Sequence, residues 1–245
     1  MYLTIIFIIL EILESIEMTA SLILVERVLT QNIYQRDIGA YRGLPELDSF
    51  GNVISSESSD NEPNINRLWT FNTLTCKGYT VTCIAWNRIN PDIIAISYGY
   101  NVKHKSIDTT DSNAGLVCCW NIKNLEHPER IYNLPSCATC CDFSQANPNL
   151  LAVGLYNGTV VVYNVTRKGN VVLLDSMDSV SKHLGPVWSV RWTERERGTD
   201  ERGEVLISTS ADGRVVQWTI RKGFASLVLM KVTLFVLDSF EDLKV

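Results

Sequence analysis

Past residue 66 the apolar residues of this chain come in short runs broken by Gly, Asn, Asp and Pro, without a helical period. Such runs predict strands. Three of them end in one phrase: Gly115-Leu-Val-Cys-Cys-Trp120-Asn-Ile122, Gly158-Thr-Val-Val-Val-Tyr163-Asn-Val165 and Gly213-Arg-Val-Val-Gln-Trp218-Thr-Ile220. The aromatics recur at intervals of 43 and 55 residues (120 to 163, 163 to 218), which marks a repeat. Each phrase follows two further runs. The first ends in an aromatic (81–86, 138–143, 187–192), and the second leads into the turn (91–97, 148–154, 204–210). Asn157-Gly158 and Asp212-Gly213 supply the positive φ of tight hairpins, and weaker fourth strands fall at 130–134 and 171–175. Four short antiparallel strands per unit make a propeller blade. Val160, Val161, Val162 and Tyr163 are apolar on both faces, as a strand needs when sheets cover it on either side.

Upstream the pattern changes. Residues 11–34 read as a helix with Ile12, Ile16, Ala20, Ile23 and Val28 near one face, and 55–66 is a polar linker rich in Ser, Glu and Asn. The domain reading is therefore a mostly helical segment 1–54, linker 55–66, blades 67–225 and an apolar tail 226–245 that offers an added strand. About 40–45 residues make one blade, so three fit, whereas a closed ring takes about 4–8. The rest of the ring is expected in a longer protein of which this chain is a truncated part, or in degenerate form.

The repeat resembles the WD40 family, most closely at His183-Leu-Gly-Pro-Val187, Ser208-Thr-Ser-Ala-Asp212-Gly213 and Trp218. The resemblance implies a hydrogen-bonded network of His183, Ser208, Asp212 and Trp218, which would give a buried indole and imidazole their partners. The other two units lack the His, and the second has Asn157 and Tyr163 in place of Asp and Trp. Residues outside the repeat, among them Leu68-Trp-Thr-Phe71, Ala40-Tyr-Arg-Gly-Leu-Pro45 and Pro128-Glu-Arg-Ile-Tyr132, are similar to the axonemal dynein intermediate chains. That likeness covers roughly residues 25–223. It implies an all-β partial propeller and a non-enzymatic scaffold of an axonemal dynein motor, located in the cytoplasm and in the axoneme of cilia and flagella. The dynein heavy chain is the implied partner, with other intermediate and light chains beside it.

With 46% hydrophobic and 20% charged residues, the chain has ample material for a core. A net charge of −5 argues against a nucleic-acid backbone as partner. The apolar stretch 1–10 lacks a basic leader, is followed by Glu11, Glu14 and Glu17, and falls short of the ~20 residues that span a bilayer. No membrane partner is expected. Seven cysteines, an odd count, sit largely in strand phrases and read as small buried apolar residues of a reducing compartment. Cys137-Ala-Thr-Cys140 lacks the second ligand pair of a zinc site, and the three histidines are scattered. No cofactor, metal or catalytic residue is expected.

The charged insert 194–202, beginning Glu194-Arg195-Glu196-Arg197, is the candidate partner-binding loop, and 101–113 has the same standing. Two other functions stay open: a WD40 adaptor for ubiquitin-ligase substrates or ciliary transport, and a Cys-based metal or redox protein.

Overall fold

The computed structural model describes residues 11–45, 65–101, 115–167, 169–194, 203–220 and 223–232. They fall into two compact units. One is made of residues up to Lys77 with Trp120–Glu129, the other of Gly78–Cys119 and the chain from Arg130 on.

In the first unit residues 11–14 are helical, and Ser15 then caps α1 (Ile16–Ile33) by accepting the Met18 N–H. Glu17 in the first turn suits the positive end of the helix dipole. A break at Tyr34 leads into α2 (Gln35–Tyr41). The face expected to be apolar is not buried: Ile12, Ile16, Ile23 and Val28 are exposed, and the one buried residue of α1 is Thr30. The helix is held through polar groups instead. Arg27 pairs with Glu129 at 2.5 Å and the Tyr34 hydroxyl donates to Glu126 at 2.6 Å. A ladder of rings, Tyr41, Trp69, Phe71 and Trp120, continues this unit with centroid spacings of 5.4, 6.4 and 5.1 Å.

The second unit carries three four-stranded antiparallel sheets, each a simple meander, except that the last two residues of β3 fall in the first unit. The first contains β1 (Tyr79–Trp86), β2 (Ile93–Asn101), β3 (Gly115–Asn121) and β4 (Arg130–Leu134). The second contains β5 (Ala138–Phe143), β6 (Leu150–Leu155), β7 (Val160–Asn164) and β8 (Val172–Asp175). The third contains β9 (Val187–Glu194), β10 (Glu204–Ser210), β11 (Arg214–Thr219) and β12 (Ala225–Lys231). The first residues of the apolar tail thus supply the fourth strand of the third blade. The leading strands lie side by side, β5 next to both β1 and β9, so the sheets stack as blades do.

Two apolar cores fill the seams. Ala85, Val117, Tyr132, Cys141, Val161 and Tyr163 belong to one, and Cys140, Val160, Val162, Trp192, Leu206 and Trp218 to the other. Strand β7 feeds both, Val161 and Tyr163 on one face and Val160 and Val162 on the other. That is why it does not alternate. Gly158 (φ +83°) and Gly213 (φ +74°) take the left-handed turns that the Asn-Gly and Asp-Gly pairs require. On β12, Leu227, Val228, Leu229 and Met230 are exposed.

Candidate functional site

The polar centre of the third blade is assembled from two strands and two connecting segments. The segment before β9 carries His183, β10 carries Ser208, the β10–β11 turn carries Asp212, and β11 carries Trp218. The four are brought together. The Trp218 indole N–H donates to Ser208 Oγ at 2.8 Å, and Ser208 Oγ lies 2.7 Å from His183 Nε2. His183 Nδ1 is 3.1 Å from Asp212 Oδ2.

One proton arrangement satisfies every group. Trp218 donates to Ser208, Ser208 donates to Nε2, and the Nδ1 proton goes to the carboxylate, which requires a neutral imidazole. Burial supports this by holding the His183 pKa below its ordinary value of 6.5, against the raising effect of Asp212. Burial works against the Asp212 charge too, but hydrogen bonds from the Leu184 N–H, the Arg214 guanidinium and the Arg214 N–H overcome it. They hold the carboxyl well below the usual range. Arg214 also donates to the Lys182 carbonyl at 2.6 Å, closing the ring of contacts around the turn. Trp218 is further stacked on Phe224, centroids 4.9 Å apart.

Register explains why the other blades lack this centre. Ser208 pairs with Val190, two residues before Trp192, and the same offset in the first and second blades pairs Ile84 with Ile96 and Cys141 with Val153. Ile96 and Val153 therefore stand where Ser208 does, and neither can accept from an indole. Among the described residues Trp120 Nε1 and the Tyr132 hydroxyl are buried without a partner. In the second blade Tyr163 instead stacks on Tyr132, centroids 4.3 Å apart.

Of the expected partner loop, Glu194 ends β9 and is exposed, whereas Arg195, Glu196 and Arg197 lie outside the described residues, as do 102–113 of the other insert. Sequence reading missed a surface feature near the network. Tyr156 and Trp188, 57% and 58% exposed, meet edge to face at 6.3 Å, with Leu184 exposed nearby in sequence. The signal was an aromatic beside the Asn157-Gly158 hairpin turn, which lay outside every expected strand, and a second one at the start of β9, which passed as a strand residue.

Cys118, Cys119, Cys140 and Cys141 are buried as expected, but Cys83 is only half-buried. Among the described residues no group of three or more His, Cys, Asp or Glu side chains is placed to hold a metal, and no helix is long and apolar enough to cross a membrane. His127 lies at the surface, 3.8 Å from Glu26, and His104 is outside the described residues.

Residues 69–184 match the family model described as the Dynein axonemal intermediate chain 3 WD40 domain. The chain is 42% identical over 248 residues to human Dynein axonemal intermediate chain 4, covering 90% of this chain and 28% of that one. It is 41% identical over 228 residues to the Xenopus laevis protein of the same name, covering 91% and 30%. The chain is a relative of the axonemal dynein intermediate chains. Rat Dynein axonemal intermediate chain 1 is 28% identical over 199 residues, covering 81% of this chain and 26% of that one. This intermediate-chain relative thus spans about 30% of the length of the curated proteins it matches, and its fold is a partial WD40 propeller with a short helical segment ahead of it. Among solved structures it is similar to the Dos1 propeller, with a TM-score of 0.46 and 10% identity over 62% of this chain and 34% of that one.

Proposed function

We propose that this chain serves as a non-catalytic scaffold subunit of an axonemal dynein complex, docking on the dynein heavy chain in the axoneme of cilia or flagella. The observation that carries the reading is the identity of 41–42% with Dynein axonemal intermediate chain 4 across nine-tenths of this chain. It extends beyond the blades into the helical segment, which a shared repeat alone would not produce. Blade stacks bind through rims and loops backed by rigid strands. The charged loop that starts at Glu194 is one contact surface, and the Tyr156–Trp188 pair is another, since exposed aromatics anchor interfaces. His183, Ser208, Asp212 and Trp218 take a structural part, fixing the blade behind those surfaces.

The test is affinity capture from ciliated cells with the chain and with Trp188→Ala and Glu194→Lys variants. Recovery of dynein heavy chain by the wild type, reduced at least about 10-fold by Trp188→Ala and made less salt-sensitive by the charge change, is the expected result. Recovery of ubiquitin-ligase subunits without any dynein chain would overturn the assignment in favour of a general adaptor.

A further inference from the structure

Met177 stands in the connection between β8 and β9, and two hydrogen-bond donors converge on its sulfur. The Thr159 hydroxyl, on the residue before β7, donates to it at 3.9 Å, and the Lys182 ammonium donates to it at 3.4 Å. A thioether sulfur is a weak acceptor, yet neither donor has another protein acceptor among the described residues. The mismatch is sharpest at Thr159, which is 2% exposed, because a buried hydroxyl ordinarily finds a strong partner.

Backbone contacts hold the three groups in place. The Val160 N–H donates to Ser176 Oγ at 2.8 Å, and the Ser176 N–H donates to the Val160 carbonyl at 3.0 Å, which fixes Met177 beside Thr159. The Lys182 N–H donates to the Ser179 carbonyl at 3.0 Å, and the Lys182 carbonyl accepts from Arg214 at 2.6 Å. Met177 itself is 47% exposed, so a small reagent in water reaches its side chain. The approach beside Lys182 is open to solvent, whereas the approach beside Thr159 is enclosed.

We propose that Met177 is an oxidation site built to hold a sulfoxide, with a hydroperoxide as the oxidant. The sulfur lone pair attacks one oxygen of hydrogen peroxide, and the O–O bond breaks. The proton on the attacked oxygen passes to the departing one, which leaves as water, and the attacked oxygen stays on sulfur. Two electrons pass from the sulfur to the peroxide. The new oxygen is a strong acceptor placed where donors already converge, and its bond to the Lys182 ammonium is charge-assisted. Because peroxide enters on the Lys182 side, one of the two sulfoxide epimers forms in excess. Methionine oxidation ordinarily disrupts packing. Here it does the reverse, tying Lys182, the neighbour of His183, to the segment that Ser176 anchors on β7.

The experiment oxidises the folded whole chain with hydrogen peroxide at pH 7 and digests it. The Met177 peptide is then treated separately with the two methionine sulfoxide reductases, each of which reduces one epimer. One enzyme should reduce most of the Met177 sulfoxide and the other little, whereas a chain oxidised in urea should divide evenly between them. This split is read on the wild type alone, so no misfolded variant can spoil it. The oxidised wild type should also melt a few degrees above the untreated chain. The reference is a Met177→Leu chain treated identically, which carries the same oxidation at every other methionine and at the cysteines. The gain should be lost in Lys182→Leu. An even split of epimers in the folded wild type, or a fall in Tm that depends on Met177, overturns the proposal, and so does a gain that survives Lys182→Leu.

Discussion

Replacing His183 by Ala tests whether the polar centre of the third blade stabilises the fold or merely fills it. The imidazole is 1% exposed and makes contacts at 2.7 Å to Ser208 and 3.1 Å to Asp212. Asp212 would keep its donors from Leu184 and Arg214, so its charge is not stranded. Ser208 is less well placed. Without Nε2 its hydroxyl can turn only to the Val216 carbonyl at 3.5 Å, a poor hydrogen bond, and an unsatisfied buried hydroxyl costs about 1–3 kcal/mol. The space left by the ring adds a cavity cost. The sum is about 2–4 kcal/mol, or a fall in Tm of about 5–15 °C for a unit of this size.

Urea unfolding followed by tryptophan fluorescence at pH 7.5 reads the change directly. Ser208→Ala and the double variant then complete a cycle. A shared hydrogen bond predicts that the two losses fail to add by about 0.5–3 kcal/mol. A His183→Ala chain within about 0.5 kcal/mol of wild type, or a cycle with no coupling, would show that the geometry carries no energy.

The same centre should make stability depend on pH. His183 is depressed below 6.5 in the folded state, so its contribution is complete above the unfolded value of 6.5 and declines as pH falls towards the folded value, because the unfolded chain binds the proton more readily. That slope should disappear in His183→Ala. A further loss follows at lower pH as Asp212, depressed below 3.8, is protonated. Gly158→Ala combines a positive φ with a Cβ that would collide with the His183 carbonyl oxygen, whereas Gly169 has φ +87° and nothing within 4 Å. Gly158→Ala should therefore cost at least about 2 kcal/mol and Gly169→Ala about 1, and equal melting shifts would refute the clash. Trp218→Phe breaks a formed hydrogen bond while Trp120→Phe removes a donor with no partner among the described residues, so the first should be more destabilising by about 1–2 kcal/mol in the same unfolding assay.

Much of the architecture was legible because turn chemistry and apolar runs agree locally. β4, β5 and β10 follow the bounds read from sequence to the residue. Their ends are marked by Pro, Gly or a closing aromatic, and no tertiary contact needs to decide them. The four members of the polar centre were legible for a different reason, a motif whose residues recur at fixed places in a blade. What sequence could not supply was register. Nothing local distinguishes Ile96 or Val153 from any other core residue, yet their pairing with Ile84 and Cys141 is what denies the first two blades an indole acceptor. Exposure was the second blind spot. The α1 pattern looks amphipathic, but periodicity says which residues share a face and not whether a partner covers it. Here Arg27 and Tyr34 anchor the helix and leave Ile16 and Ile33 exposed. Cys83 was misread for a related cause: β1 is the edge strand of its sheet, and a strand phrase does not say how far a neighbour covers such an edge.

The contacts between blades suggest why a stack of this kind can present partner surfaces stiffly. Apolar seams are tolerant of sliding, because dispersion and burial have no direction; hydrogen bonds are not. Between the second and third blades such bonds, and one close backbone approach, occur along the seam. The Gly158 turn lies against the His183 carbonyl, Thr139 donates to the Val187 carbonyl, and Asp142 accepts the Trp192 backbone N–H at 3.0 Å while its carbonyl accepts the indole. Glu204 accepts from the Ser144 hydroxyl and from the Gln145 and Ala146 N–H groups. Between the first and second blades Asn87 donates to the Pro148 carbonyl at 2.7 Å and Arg130 to the Val165 carbonyl at 3.0 Å. Each link fixes the register of one blade on the next at a point the apolar cores leave free. The His183 segment takes part twice, inside its own blade through Ser208 and Asp212 and against the neighbouring turn through its carbonyl. Loosening it would therefore disturb the Tyr156–Trp188 pair, whose two rings come from those two blades, before it unfolded either sheet.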